Sequence, residues 1–263
     1  MRYADDDLRT HATYGKFFIT PQDKNDRDFL LAVDRRTRSD IDLKYGFIAD
    51  YDWEMNTVAN AFFETMIGII KYLFQDESTG HSDGIGFKFY DLFTATISNK
   101  INESAEKEGN LNIFFETAER VDDLIANGIP PQFNGERKSM FEVFKTGNPD
   151  EDNLLLRIDN QAKYDIARSH GIQIGEKNHM ATCGIAYTFF ENLFIELLVR
   201  TAMVQKENEG EEAMVSVNFN DNIEFHCIIK DGGARIMMRP GMNVKMLIKN
   251  DGFTEKTMGD LDD

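Results

Sequence analysis

Between Met55 and Leu73 the apolar residues Met55, Val58, Phe62, Met66, Ile69 and Leu73 recur at steps of three and four. That spacing makes one stripe on a helix and predicts a helix from about Asp52 to Phe74. Phe89, Phe93, Ile97 and Ile101 stand four apart and predict a second, Phe89 to Ile101. Leu111, Phe114, Phe115, Ala118, Val121 and Ile125 predict a third, Leu111 to Asn127, stopped by Gly128 and Pro130-Pro131. Phe141 and Phe144 suggest a short helix before Gly147-Asn148-Pro149. The next helix starts near Asp150 or Asp152, where acids complement the helix dipole, and ends before Gly171. The last long helix runs from Ile185 to about Lys206, with Ala186, Phe190, Leu193, Leu197, Thr201 and Val204 on its buried side.

After the charged linker Glu207–Glu212 the period changes to two. Four runs alternate apolar and polar residues: Met214–Phe219, Ile223–Ile229, Ala234–Arg239 and Asn243–Lys249. Turn formers separate them, namely Asn220-Asp221-Asn222, Asp231-Gly232-Gly233 and Pro240-Gly241. Alternation places Val215, Val217, Phe219, Ile223, Phe225, Cys227, Ile229, Ile236, Met238, Val244, Met246 and Ile248 on an inner face. Glu224, His226, Arg235, Arg239, Lys245 and Lys249 fall on the outer one. Tyr14–Thr20 and Lys44–Ala49 read as short N-terminal strands. The fold class expected is therefore α+β. A predominantly helical body, 1–207, precedes a C-terminal four-stranded antiparallel meander, 208–250, and an acidic tail, 251–263. No internal repeat is expected, and one compact unit or two domains both remain open.

Length and composition fit a folded protein: 263 residues, 41% hydrophobic, with 21 Phe. The balance of 46 acidic against 29 basic residues gives a net charge of −17. Such a field repels nucleic-acid backbones and anionic membranes and favours basic partners. Cys183 and Cys227, the two cysteines of the chain, make no disulfide framework, and no secretory signal follows Met1. The most apolar windows, Val58–Phe74 and Ile185–Val204, carry Asn60, Glu64, Lys71, Glu191, Asn192, Glu196 and Arg200, which argues against membrane spans. A cytoplasmic location, or incorporation in a virion, is expected.

Candidate chemistry is thin. Gly80–Gly86 lacks the Lys-Ser or Lys-Thr ending of a phosphate loop, and no dinucleotide fingerprint occurs. His81, Ser82 and Asp83 are sequence neighbours, an arrangement that rarely converges into a triad. Arg35, Arg36 and Arg38 could fork onto an oxyanion, but Asp34, Asp40 and Asp42 offer local ion pairs instead. His170, His179, Cys183, His226 and Cys227 are the metal-ligand candidates, with one helical pair, His179 and Cys183, among them. Zinc sites announce themselves with paired short spacings, so neither a metal nor another cofactor is expected, and no catalytic residue is singled out. The expected function is that of a non-enzymatic structural or assembly protein acting through protein–protein interfaces as a homo- or hetero-oligomer, for instance in a phage particle. An acidic regulator of a basic surface and an enzyme with a carboxylate-rich site are the alternatives.

Overall fold

Asn148 has an extended backbone, and its side chain accepts the Asp150 N–H at 3.1 Å, which opens a helix with Pro149 in its first turn. Gly171, left-handed at φ 63°, closes it by donating to the Ala167 carbonyl at 2.9 Å. The other elements follow from similar local rules. The computed structural model describes residues 24–46, 54–75, 84–98, 112–127, 147–174 and 181–249. Among them run α1 (Lys24–Tyr45), α2 (Met55–Gln75), β1 (Gly84–Phe89), β2 (Phe93–Ser98), β3 (Asn112–Thr117) and α3 (Glu119–Asn127). Then come α4 (Pro149–His170), α5 (Thr182–Glu207), β4 (Ala213–Phe219), β5 (Ile223–Lys230), β6 (Gly233–Pro240) and α6 (Met242–Lys249). The chain is α+β, as its periodicities imply.

Two compact units emerge. Unit 1 comprises residues 1–65, 131–196 and 255–263; unit 2 comprises 66–130 and 197–254. Unit 1 therefore holds α1, α4 and the first parts of α2 and α5, whereas both sheets, α3 and α6 belong to unit 2. Helix α2 is buried on nearly every side from Met55 to Lys71, its polar Asn56, Thr57, Asn60, Thr65 and Lys71 included. Helix α5 is long and apolar enough to cross a membrane by length and composition, yet 83% of its apolar window is buried inside the protein.

The two sheets are three-stranded and antiparallel, ordered β1-β2-β3 and β4-β5-β6. Of the expected inner face of the second sheet, Val217, Phe219, Ile223, Phe225, Cys227, Ile236 and Met238 are buried, whereas Val215 and Ile229 are only half-buried. Val217→Asp is expected to destabilise the protein by at least about 2 kcal/mol through an unpaired buried charge. Met214→Asp, on the exposed face of the same strand, should stay within about 0.5 kcal/mol. Equal urea midpoints for the two variants would contradict this facing.

Three expectations fail for identifiable reasons. Residues 89–98 do not form a helix but end β1 and build β2, and residues 99–101 lie outside the described residues. A spacing of four is also an even spacing, so Phe89, Phe93 and Ile97 share one face of a hairpin, and Thr94, Thr96 and Ile97 favour strand by their β-branches. The helix expected over Leu111–Asn127 divides into β3 and α3; Ile113 and Phe115 alternate with Phe114 and Glu116 before the helical spacing of Val121 and Leu124 takes over. The fourth meander strand does not exist. Met242–Lys249 is helix α6, in which buried Val244 and half-buried Leu247 are three apart, and the Lys245 N–H closes the first turn onto Gly241. Lys44 and Tyr45 end α1 rather than start a strand, and Gly84–Gly86 belongs to β1. Tyr14–Thr20, residues 47–49, Phe141 and Phe144 lie outside the described residues.

The expectation of no internal repeat is also overturned. Two long helices, a three-stranded meander and a short helix occur in the same order twice. Both sheets even share one register: Phe89 pairs with Phe93 and Phe93 with Thr117, as Phe219 pairs with Ile223 and Ile223 with Pro240. The residues retained are sparse, which hides the repeat from composition and spacing. The first helices share Asp34 and Asp159, Arg38 and Lys163, Asp40 and Asp165, Ile41 and Ile166, and a terminal Gly46 or Gly171. The second helices share the run Phe62-Phe63-Glu64 with Phe189-Phe190-Glu191.

Candidate functional site

The least ordinary chemistry in unit 1 lies at the starts of its two core helices. Asp34, only 1% exposed, reaches from α1 to the first turn of α2, where its Oδ1 accepts the Met55 N–H at 2.6 Å and the Asn56 N–H at 3.2 Å. Its Oδ2 meets Arg38 Nε at 2.9 Å, one turn along α1. Asp159 repeats the arrangement in α4. Its Oδ1 accepts the Cys183 N–H at 3.1 Å and the Thr182 hydroxyl, and its Oδ2 forms a 2.7 Å ion pair with Lys163 Nζ. Each carboxylate therefore satisfies N–H groups that a helix start leaves without partners, and each adds negative charge at the positive end of the dipole.

Glu54 breaks the likeness. It is wholly buried, and burial first, then the neighbouring Asp34, pushes its pKa up to about 10 against the opposing pull of Arg38 and Arg35. The acid is neutral at pH 7. Asp34 lies close enough to attract its proton, although neither Glu54 oxygen attains the geometry of a formed hydrogen bond. The Asn56 side chain, also wholly buried, has no hydrogen-bond partner either. In the second repeat Ala181 stands where Glu54 does, and Cys183 where Asn56 does. Glu54 and Asn56 are wholly buried, so this centre can hold a proton and fix two helices. Burial also raises the pKa of Asp165, against hydrogen bonds from Gln161 and Thr65, and that of Tyr45, to about 12.

A second constellation sits on the outer face of β4-β5-β6. Ser216 Oγ and His226 Nδ1 are 2.7 Å apart, and His226 Nε2 is 3.5 Å from Glu224 Oε2. The residue types are those of a nucleophile, a base and an orienting acid. The setting is not. Ser216 lies in the middle of a strand, where backbone N–H groups run in the plane of the sheet and side chains stand perpendicular to it, so no donor pair converges on an oxyanion beside Oγ. The group is cross-strand polar pairing on the outer face of the sheet, with Ser216 exposed and the His226 ring largely covered.

Unit 2 also displays apolar side chains to solvent. Phe114 on β3, Val199 and Met203 on α5, Met214 on β4, and Met242 and Met246 on α6 are all exposed, Met242 by 65%. Val199 and Met203, like Met242 and Met246, are four apart and form exposed stripes on their helices. Met214 is paired directly with half-buried Ile228, and Met237 adjoins them through its pairing with His226.

The residues weighed from sequence are scattered. Arg38 ion-pairs with Asp34, the local outcome expected. Cys183 is buried in the first turn of α5, Cys227 is buried on the inner sheet face with its thiol pKa raised by burial, and both are free thiols. His170 ends α4 and His226 faces outward. His179, His81, Ser82 and Asp83 lie outside the described residues. Among the described residues no three His, Cys, Asp or Glu side chains come together as a metal site. Sequence reading missed Glu54, whose one signal is an acid placed directly before an apolar helix. It also missed the Met242–Met246 stripe, which was read as strand. No family model, curated protein or solved structure matches the chain.

Proposed function

We propose that the protein works by association, as a non-enzymatic structural or assembly component that binds other protein chains, its own or a partner's, through unit 2. The observation that carries this reading is the set of exposed apolar residues on that unit: Phe114, Val199, Met203, Met214, Met242 and Met246. Exposed apolar surface is covered in the working state of many proteins, and flexible thioether side chains repack readily against a partner. The burial of the Glu54 centre and the flat setting of Ser216 give catalysis less support. A role in the cytoplasm or in a phage particle suits this reading. A second reading, an acidic regulator seated on a basic surface, is favoured by the net charge of −17.

Salt separates the two. Apolar association is not screened, whereas charge attraction is screened beyond roughly 3 Å at about 1 M salt. Sedimentation of the protein, alone and with candidate partners, is expected to show an assembly that survives about 1 M salt and is lost in the double variant Met242→Lys, Met246→Lys. An assembly that dissolves at high salt would support the regulator. A monomer under every condition that turns over a small molecule would refute both.

A further inference from the structure

The two repeats agree to the level of single backbone hydrogen bonds. The Leu92 N–H donates to Phe89 O at 3.1 Å in the first turn, and the Asn222 N–H to Phe219 O at 2.9 Å in the second. Tyr90 and Asn220 hold the same left-handed position, φ 51° and 50°. The third strand then leads into its short helix through paired bonds. Ala118 N–H donates to Leu92 O at 3.0 Å and Arg120 N–H to Asp91 O at 3.1 Å; Gly241 N–H donates to Asn222 O at 2.7 Å and Asn243 N–H to Asp221 O at 2.9 Å. The tighter contact occurs where glycine stands, because a Cβ at Gly241 would overlap the Asp221 carbonyl.

Corresponding residues are also the ones that meet. In unit 1 Phe63 and Phe190, equivalent positions of α2 and α5, face each other with centroids 5.9 Å apart. Thr65 Oγ1 of α2 donates to Asp165 of α4 at 3.4 Å. The same contact with the repeats exchanged is Asn192 Nδ2 of α5 donating to Asp40 of α1 at 2.9 Å. Within unit 2 the equivalent strands β3 and β6 lie against each other. A contact of residue i with j, matched by one of j with i, is the mark of a two-fold, self-complementary interface, and an equivalent pair in mutual contact marks the axis itself.

We propose that residues 24–127 and 149–249 are two copies of one module of two helices, three strands and a short helix, joined as a covalent dimer, and that the partner fitted by each pairing surface is a second copy of the module. Either half then carries the contacts needed to pair with itself. A pair of first modules would keep the Phe63 stack and set Thr65 against Asp40 twice. It would also form the ion pair now seen between Lys44 Nζ and Glu191 Oε2 at 2.9 Å twice, because Glu64 corresponds to Glu191. A pair of second modules would lose that ion pair, since Ser169 stands in the place of Lys44.

The test uses the full chain with a protease recognition sequence inserted between Asn127 and Gly147, cut after folding and followed by native mass spectrometry. The halves are expected to stay together as a one-to-one pair. On prolonged incubation they should exchange into homodimers of both halves in equal amounts, because two one-to-one pairs yield one of each. On serial dilution the first-half homodimer should persist to a severalfold lower concentration than the second-half one. Lys44→Ala, a mild change at a partly exposed position, should bring the dissociation of the first-half homodimer severalfold closer to that of the second. Phe63→Asp and Phe190→Asp should each release the halves. Free monomeric halves from the unsubstituted chain before dilution would overturn the proposal, as would one-to-one pairs that never yield a homodimer, or a first-half homodimer whose dissociation is indifferent to Lys44→Ala.

Discussion

Asp159→Ala is expected to lower the unfolding free energy by about 3–5 kcal/mol, read from the urea midpoint at unchanged m value. Two losses add. The Cys183 N–H and the Thr182 hydroxyl lose their acceptor at the start of α5, a capping loss of about 1 kcal/mol. Lys163 then keeps its ammonium in a buried site without the Asp159 carboxylate, and losing one partner of a buried pair costs more than the lost cap. Asp34→Ala removes the same kind of cap and the same kind of pair, from α2 and Arg38. It should be about as damaging, because Glu54, already neutral at pH 7, is not repelled by Asp34 and gains nothing from its removal. An Asp159→Ala variant within about 1 kcal/mol of the parent would show that Lys163 finds water or another partner on losing its own. An Asp34→Ala variant much milder than Asp159→Ala would show that Glu54 is ionised beside Asp34 in the parent.

Legibility followed the uniqueness of each element's period more than its length. Helix α1, although 22 residues long, was not legible as a helix, because Asp34, Arg35, Arg36, Arg38 and Asp40 interrupt its apolar stripe. Helices α2, α4 and α5 were readable because 21 residues or more carry a continuous apolar stripe, and in α4 the Asn148 cap and Gly171 stop are written in the chain. The facing of β4 and β5 was readable because Val217, Phe219, Ile223, Phe225 and Cys227 alternate strictly with polar residues. Strands β1 and β2 were hidden because spacings of four fit a helix and a strand alike, and length does not arbitrate between six-residue segments. Helix α6, eight residues long, was hidden by the same ambiguity, since Val244, Met246 and Ile248 also alternate. The repeat escaped because its identities are few and its loops differ. Thirteen residues separate Ser98 from Asn112, whereas Asp231-Gly232 alone joins β5 to β6. The buried acid was the least legible feature. A glutamate ahead of an apolar helix ordinarily sits in solvent, stabilising the dipole, and only the folded chain brings Asp34 onto the same helix start.

Glu54→Gln is expected to stabilise the protein and to flatten its dependence on pH. The folded-state pKa of about 10 lies far above the ordinary value of 4.5, so between those limits the folded chain binds one more proton than the unfolded chain. Stability attributable to this group is therefore fully present below pH 4.5 and declines as pH rises towards 10, by at most about 1.4 kcal/mol per pH unit. Glutamine keeps the shape of the neutral acid, cannot ionise, and still offers an N–H towards Asp34. Between pH 5 and pH 8 its advantage over glutamate should grow by up to about 4 kcal/mol. Ala181, at the equivalent position of the second repeat, already shows that this helix start can be built without an acid. The check is a set of urea midpoints for parent and variant across that range. Parallel curves would mean that Glu54 ionises in the folded protein as readily as in the unfolded one, and that the buried proton does not exist.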